Sequence, residues 1–278
     1  MRNNLWALFL FFCAASAAAA DTVLYALGDT GDCQPATARV AKALRAQPDM
    51  PNALLLELGD LAYPTATRQR LLECHEPFFS QFKNRLAVPG NHDWRDEGAA
   101  GFFSIFPEPV PRSVDLNGSW RLLLLDSNLR ADAWQAQLQW LKNARTAAAG
   151  KCVIAAWHHP RWSSGAHGDN AFTAPLWAGV SGLASITLHG HDHHFEALPP
   201  LNIAGEAAAE GTASFVAGNG GARLYPVSDI KQGSRVLSNT WGFMRLQLSE
   251  TAYSWQAFDF DGQVREQGSG RCLLLGSR

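Results

Sequence analysis

The sequence predicts an α/β fold: a four-layer α/β/β/α sandwich in which two mixed β-sheets pack together and helices cover their outer faces. Apolar runs of strand length alternate with helical patterns in the first half of the chain, which is typical of β-α-β units. The end of the chain alternates apolar and polar residues, which is typical of antiparallel strands. Together these patterns favour two packed sheets with helices outside.

The first half is predicted to fold as β-α-β-α-β. Apolar runs at 23–27, 53–58 and 86–88 have strand length, and each is followed closely by a glycine and a polar residue. Helical spacing of apolar residues predicts helices at 36–46 and 68–82. In open α/β sheets, ligands bind beyond the carboxyl ends of the strands. The polar residues at these ends are therefore candidate site residues.

The second half is predicted to begin with a hairpin and a helix. Asn117-Gly118 is a strong turn signal between strands at 114–116 and 120–125. Asp132 is predicted to cap a helix that runs to about residue 148. Antiparallel strands are expected from Phe215 onward, with a tight turn at Asp261-Gly262. The remaining predicted strands are 152–157, 184–188, 241–248 and 252–260.

Composition places few limits on function. The chain has 278 residues, with 23 Lys and Arg against 25 Asp and Glu, so its formal net charge is −2. Nucleic-acid-binding domains usually carry a basic surface, so no nucleic-acid partner is indicated. The oligomeric state cannot be read from these features. No internal repeat or low-complexity linker follows the first twenty residues.

The first twenty residues have the pattern of a secretory signal peptide. Arg2 supplies a positive charge, residues 5–12 form an apolar run, and residues 14–20 are mostly small. Cleavage near Ala20 would leave one domain over 21–278, exported to the periplasm or secreted, with no membrane span. The alternative is an uncleaved anchor, although a span needs about 20 apolar residues.

Five short motifs place metal-capable side chains at the ends of predicted strands. Their ligand types mix oxygen and imidazole nitrogen without a cysteine cluster, which suits iron, zinc or manganese better than a structural zinc knot. Each motif contains glycine or proline, and glycine allows a sharp turn and a close approach to an ion. The motifs are Gly28-Asp29-Thr30-Gly31, Gly59-Asp60-Leu61-Ala62-Tyr63, Gly90-Asn91-His92-Asp93, His158-His159-Pro160 and Gly190-His191-Asp192-His193.

The four cysteines beyond the predicted signal peptide fit disulfides in an exported protein. We favour Cys33 with Cys74, because both follow closely on two of these motifs, and this pairing leaves Cys152 with Cys272. Three pairings are possible in principle. The alternative for Cys152, beside an apolar strand, is a buried free thiol.

The five motifs, in this order, resemble the calcineurin-like metallophosphoesterases. The position of Tyr63, three residues after Asp60, is similar to the purple acid phosphatase branch of that family. The resemblance covers roughly residues 23–195 and implies that 21–278 form a metallophosphoesterase domain. It further implies a hydrolase that acts on small phosphorylated substrates and uses two metal ions.

The resemblance also implies seven metal ligands. The first ion, Fe(III) in that branch, would be bound by Asp29, Asp60, Tyr63 and His193. The second ion, Fe(II), Zn(II) or Mn(II), would share Asp60 and be completed by Asn91, His158 and His191. A charged phenolate suits a trivalent ion, whereas a neutral amide and two imidazoles suit a divalent one. Chemistry alone leaves open whether His158 or His159 binds metal, and the His-x-Pro spacing of the family selects His158.

Two further histidines, His92 and His167, match the catalytic positions that the resemblance implies outside the metal sphere. Hydrolysis would proceed by attack of a metal-bound hydroxide on a phosphate monoester, with the ions about 3.5–4 Å apart. His92 is expected to donate a proton or a hydrogen bond to the leaving oxygen. His167 is expected to face the substrate.

Several roles stay open at this point. His159, His189 and His194 are interpreted as structural, and His75 as a surface or helix residue. Asp93 either orients His92 or caps the following turn, and Asp192 is expected to face away from the metals. Arg95, Arg161 and Trp162 are candidate substrate contacts, and Asn219 lies in a glycine loop that can form the pocket floor.

Three other functions compete with a phosphomonoesterase. A phosphodiesterase acting on nucleotides or lipid head groups needs the same metal centre, so the motifs do not separate the two. A metal-binding, phosphate-sensing module is a non-enzymatic alternative, although such a module need not retain His92 and His167. A metallo-β-lactamase-like hydrolase requires a His-x-His-x-Asp-His run, whereas His191-Asp192-His193-His194 lacks the later Asp-His pair.

Overall fold

The computed structural model describes residues 21–274, so the predicted signal peptide lies outside the described residues. The described part of the chain contains two mixed β-sheets with helices on their outer faces, and this confirms the predicted sandwich. In chain order the described strands are β1 (Thr22–Leu27), β2 (Leu54–Glu57), β3 (Arg85–Ala87), β4 (Arg112–Asp115), β5 (Trp120–Leu124), β6 (Cys152–Ala156), β7 (Ala184–His189), β8 (Phe195–Ala197), β9 (Ala213–Ala217), β10 (Arg235–Leu237), β11 (Gly242–Leu248), β12 (Ala252–Asp259) and β13 (Val264–Arg271).

The first sheet has the strand order β13-β12-β11-β1-β2-β3, and the second has the order β10-β8-β9-β7-β6-β5-β4. Strands β1, β2 and β3 are parallel, as are β5, β6, β7 and β9. The carboxyl ends of each parallel set therefore lie at one edge of their sheet. The terminal meander β11-β12-β13 is antiparallel, as predicted.

The helices lie outside the sheets. Apolar residues of the first helix, such as Val40 and Leu44, pack on the outer face of the first sheet, and Trp134 and Leu141 pack on the second. Among residues 21–274, no helix combines the length and apolar content that a membrane span requires. The described α-helices are α1 (Pro35–Arg45), α2 (Arg68–Cys74), α3 (Glu76–Phe79), α4 (Ala100–Ile105), α5 (Ala131–Ala147) and α6 (Ala174–Val180).

The main core lies between the two sheets. Leu24 and Ala26 of β1 point into it, whereas Tyr25 and Leu27 point outward to α1, as expected from the two-residue period of a strand. The inner faces contribute mainly leucine, alanine and aromatic side chains, and Phe215 packs there against the ring of Trp255. This core fixes the two sheets against each other and so fixes the loops at their edges.

Both predicted disulfides are present. Cys33 pairs with Cys74, and Cys152 pairs with Cys272. The first links the loop after β1 to the end of α2, close to the first polar motif. The second closes a separation of 120 residues between β6 and the end of the described chain. The alternative that Cys152 is a free thiol is wrong.

Three details of the predicted secondary structure are wrong. The helix expected at 68–82 is two short helices divided at His75, because Pro77 lacks the backbone N–H that would continue the first. Asp132 does not cap α5: Arg130 is the N-cap residue, and Asp132 lies in the first turn near the positive helix end. Phe215 lies in β9, which is parallel to β7 and antiparallel only to β8.

Candidate metal centre

The candidate ligands lie just beyond the carboxyl ends of five parallel strands. The candidate ligands are up to 164 residues apart in the sequence, from 29 to 193. Their side-chain atoms nevertheless come within hydrogen-bond distance of one another. The two sheets bring these ends to a common edge. The ends belong to β1, β2, β3, β6 and β7.

The backbone at this edge is unusual. Asp29, Asp60 and His191 have φ values of 60°, 55° and 74°, in the left-handed region that side chains other than glycine seldom adopt. Such conformations cost about 1–3 kcal/mol each and cluster at functional sites. Gly90 is also required here, because a Cβ atom would lie 2.2 Å from Asp60 Oδ1. The backbone thus adopts energetically unfavourable conformations at the residues that place the candidate ligands.

One group of donor atoms surrounds the phenol of Tyr63. Its hydroxyl donates to Asp29 Oδ1 at 2.8 Å and lies 3.0 Å from His193 Nε2. Asp60 Oδ2 is 3.3 Å from the same hydroxyl, and His193 Nε2 is 3.3 Å from Asp29 Oδ1. The four side chains assigned to the first ion therefore converge on one point.

A second group lies on the other side of Asp60. His158 Nε2 is 3.2 Å from Asn91 Oδ1 and 3.3 Å from Asp60 Oδ2. The ring of His191 lies 5.1 Å from the ring of His158. One ring nitrogen from each of His158, His159 and His191 lies within 4.8 Å of the other two. The same oxygen, Asp60 Oδ2, thus borders both groups.

The remaining nitrogens of two candidate ligands are held by backbone carbonyls. Nδ1 of His158 donates to the carbonyl of Leu58 at 2.7 Å, and Nδ1 of His193 donates to that of Arg223 at 2.6 Å. Metal-binding histidines typically make such a bond, because it fixes the tautomer and leaves Nε2 free for the ion. His158, rather than His159, is therefore aimed at Asp60.

The electrostatics of the centre are dominated by buried carboxylates. Burial disfavours the charge of Asp60, yet His158 outweighs it and holds the pKa of Asp60 well below its usual range. Burial likewise opposes a charged imidazole, but Asp60 raises the pKa of His158 to about 10. Burial and then Asp29 raise the pKa of the Tyr63 phenol well above 10. A bound cation would compete for these protonated sites, so metal binding releases protons.

These residues fit a pair of metal ions. Ligand atoms at about 2.0–2.2 Å from a common ion lie roughly 3 Å apart, and the separations here are 2.8–3.3 Å. Asp29 and Asp60 are 0% and 1% exposed, and their ion pairs among the described residues are with histidine rather than lysine or arginine. Buried carboxylates of this kind require a compensating cation.

His92 and His167 contact different residues of this centre. His92 Nδ1 donates to the Pro64 carbonyl at 2.6 Å, its Nε2 is 4.0 Å from Asp60 Oδ2, and its ring lies 4.3 Å from that of Tyr63. His167 is exposed and stacks on His191, with ring centroids 4.2 Å apart. All nine predicted site residues are therefore brought together.

The residues with open roles are mostly supporting groups. Asp93 does not orient His92; it accepts the backbone N–H groups of Gly90, Asp60 and Leu61. Arg95 bonds to the same Pro64 carbonyl as His92, whereas Arg161 lies over the ring of Trp162. His75 is fully buried rather than on the surface.

Each histidine interpreted as structural has a ring nitrogen bonded to a partner other than the seven candidate ligands, although another nitrogen of His159 lies near those of His158 and His191. Nδ1 of His159 lies 2.7 Å from Ser127 Oγ, Nδ1 of His189 donates to the Trp157 carbonyl, and His194 pairs with Glu196. The glycine loop of Asn219 packs behind Asp29, where the N–H of Ala222 donates to the Asp29 carbonyl.

Sequence reasoning missed two parts of the centre. Asp126, Ser127 and Asn128 follow β5 as the ligands follow their own strands. Asp126 accepts the indole N–H of Trp94, and Asn128 donates to the Pro89 carbonyl beside Asn91. The signal was available, since a polar run directly follows the apolar strand. Tyr225, which stacks on His193 at 4.3 Å, lies in a loop that no motif marks.

The fold and this convergence of candidate ligands are those of a metallophosphoesterase-type site. Residues 22–195 match the family model described as calcineurin-like phosphoesterase, and the chain belongs to that family. Members of the family use a dinuclear metal centre. The resemblance inferred from the five motifs is thereby confirmed.

Solved structures show the same fold. Plasmodium GAP50, described as the anchor in the inner membrane complex, superposes with a TM-score of 0.74 at 15% identity, over 91% of this chain and 90% of that chain. Purple acid phosphatase PPD1 from yellow lupin (Lupinus luteus) seeds gives 0.73 at 17% identity, over 91% of this chain and 54% of that chain. PhoD gives 0.58 at 12% identity, over 93% and 70%. No curated protein sequence matches significantly.

Proposed function

We propose that the protein is a phosphatase that hydrolyses phosphate monoesters at a two-metal centre. The observation that carries the proposal is the position of Asp60 Oδ2. It lies 3.3 Å from the Tyr63 hydroxyl and 3.3 Å from His158 Nε2, between two groups of donor atoms. A carboxylate in this position would help to hold two cations, which together would supply Lewis-acid activation of one phosphoryl group.

The donor chemistry suggests different ions on the two sides. Asp29, Tyr63 and His193 would join Asp60 around Fe(III), because phenolate and carboxylate are hard, charged donors. The neutral amide and imidazoles of the other group, Asn91, His158 and His191, would hold Fe(II), Zn(II) or Mn(II). When bound, the ions would neutralise phosphoryl oxygens and activate a water.

The protein's own residues would handle the leaving group and the substrate. Because Nδ1 of His92 is committed to the Pro64 carbonyl, a second proton on this ring resides at Nε2, the atom that faces Asp60. That proton can pass to the leaving oxygen. The ring of His167 is exposed and stacks on His191, so it can donate a hydrogen bond to a phosphoryl oxygen.

Two alternatives to a phosphomonoesterase are each supported by an observation. A phosphodiesterase would use the same centre, since the metal ligands do not distinguish a phosphate monoester from a phosphate diester. A non-catalytic role is represented in this fold by GAP50, which is described as an anchor. The presence of His92 and His167 beside the donor groups favours catalysis here.

We also propose that residues 1–20 are a cleaved signal peptide and that 21–278 form one exported metallophosphoesterase domain. Support comes from the two disulfides, because disulfides persist mainly in oxidising compartments. N-terminal sequencing of protein recovered from outside the cytoplasm tests this. A mature chain that still begins at Met1 would contradict cleavage.

The catalytic proposal is tested by comparing hydrolysis of p-nitrophenyl phosphate and bis(p-nitrophenyl) phosphate by the metal-loaded protein. We expect faster hydrolysis of the monoester and loss of activity in Asp60→Asn. Asp261→Asn, which alters an exposed carboxylate paired with Arg39, is the matched control and should behave as wild type. Faster diester hydrolysis would favour the diesterase, and no hydrolysis with two metals bound would favour the non-catalytic role.

A further inference from the structure

Asp192 lies between two candidate metal ligands in the sequence, but its side chain faces a loop and not the metal centre. His191 and His193, its neighbours in sequence, point to the metal centre. The carboxylate of Asp192 is fully buried and is directed at the loop between β6 and α6. That loop, residues 161–170, carries His167 and has no helix or strand of its own.

Both oxygens of Asp192 bind this loop. Oδ1 accepts the backbone N–H of His167 at 2.9 Å, and Oδ2 accepts the hydroxyl of Ser163 at 2.5 Å. Ser163 Oγ in turn accepts the N–H of Gly165 at 2.9 Å. The loop backbone lies directly on the carboxylate, because a Cβ atom on Gly165 would be 2.4 Å from Asp192 Cγ.

A second carboxylate from the same segment fixes the neighbouring residue of the loop. Glu196 accepts the N–H of Ser164 at 2.8 Å and its hydroxyl at 2.6 Å, and Glu196 pairs with the buried His194. The segment from 191 to 196 therefore directs His191 and His193 to the metal centre and both carboxylates, Asp192 and Glu196, to the loop. The position of the loop is tied to the position of the metal ligands.

We propose that Asp192 is the positioning residue of His167, a role that rests on the proposed phosphatase function. It holds the backbone of His167 so that the ring lies on His191 at the edge of the metal centre. A displacement of about 1 Å in a catalytic group can reduce the rate roughly 10²-fold, so a modest loosening of the loop has a measurable effect.

The test is a double-mutant cycle with Asp192→Asn, His167→Ala and the combination, assayed in the metal-loaded protein. Asp192→Asn should lower kcat/KM roughly tenfold and weaken inhibition by inorganic phosphate, with unchanged metal content. If Asp192 acts through His167, the same substitution changes kcat/KM less than about twofold when His167 is already alanine. Ser163→Ala, which removes one of the two contacts, should show a smaller loss of the same kind.

A second measurement does not depend on activity. In the protein without added metal, hydrogen exchange at the His167 amide should be faster in Asp192→Asn than in wild type. The control is Asp229→Asn, which alters an exposed carboxylate that accepts a hydrogen bond from Ser228 Oγ at 3.4 Å, and it should match wild type in both measurements.

The outcomes separate the two proposals. An active wild type in which Asp192→Asn lowers kcat/KM by equal factors with and without His167 would overturn the positioning role alone. Wild-type kinetics in Asp192→Asn would do the same. A wild type that binds two metals and hydrolyses neither ester would overturn the proposed function and, with it, the role of Asp192.

Discussion

A buried ion-pair cluster beneath the metal centre provides the sharpest prediction for stability. Glu57 is fully buried at the end of β2; its Oε1 accepts from Arg85 Nε at 2.7 Å, and its Oε2 is 2.7 Å from His75 Nε2. The other ring nitrogen of His75 lies 3.0 Å from Thr30 Oγ1, next to Asp29. The cluster therefore links the core of the first sheet to a ligand loop.

The magnitude follows from the charge balance. Burial alone would raise the pKa of Glu57, but Arg85 and His75 outweigh it and lower this pKa from 4.5 to about 2. A difference of that size corresponds to about 3 kcal/mol in favour of the folded state. Glu57→Gln leaves two basic groups buried, although Arg85 retains Glu76 at 2.8 Å. We therefore expect a loss of about 3 kcal/mol, at the lower end of the range for breaking a buried pair.

The pH dependence has a definite sign. Folding lowers this pKa, so the stabilisation is fully present above the unfolded value of 4.5 and is lost as pH falls toward about 2. In urea unfolding, the difference between wild type and Glu57→Gln should be about 3 kcal/mol at pH 7 and less than about half of that at pH 3. Thermal midpoints at pH 7 should differ by roughly 6–12 °C.

The control is Glu108→Gln, which removes an exposed glutamate 3.9 Å from Arg112. It should change stability by less than about 1 kcal/mol, because surface pairs contribute little. Equal unfolding midpoints for Glu57→Gln and wild type at pH 7 would refute the reasoning, as would a difference that grows on acidification.

Four further predictions concern the core, the cross-link and the centre. Phe215→Ala should cost roughly 3–5 kcal/mol in urea unfolding, since the side chain is 2% exposed between the sheets; a loss below about 1 kcal/mol would contradict tight packing there. Replacing Cys152 and Cys272 by serine should cost about 2–5 kcal/mol, and an unchanged midpoint would remove their stabilising role. His92→Ala should lower kcat roughly 10²–10⁴-fold at constant metal content; a loss of only a few-fold would exclude proton donation. Tyr63→Phe should abolish the visible absorption of the iron-loaded protein, whereas a colourless, fully iron-loaded wild type would remove the Fe(III) assignment.

The candidate site was predictable because its residues lie at strand ends that the sequence marks clearly. Asp29 and Asp60 each follow an apolar run and a glycine, and Asn91 follows a third run and its glycine. The carboxyl ends of parallel strands meet at one edge, so local patterns indicate a distant convergence. The family resemblance then supplied the ligand set, which periodicity alone does not provide.

Supporting contacts were not predictable because they depend on tertiary packing. Asp192 was expected only to face away from the metals, and nothing in the sequence reveals that it binds the loop of His167. The buried position of His75 depends equally on its partner Glu57 across the fold. The sequence pattern also misplaced the start of α5, because Asp132, a good capping residue, is the second residue of the helix and lies two positions after the actual N-cap, Arg130.

The claim on which the proposed function depends is that two cations bind on either side of one oxygen of Asp60. Anomalous diffraction from crystals of the metal-loaded protein tests it most directly. Two anomalous peaks are expected, one beside Tyr63 and His193 and one beside Asn91 and His158, with the Asp60 carboxylate between them. A single peak, or peaks remote from Asp60, would contradict the two-metal centre.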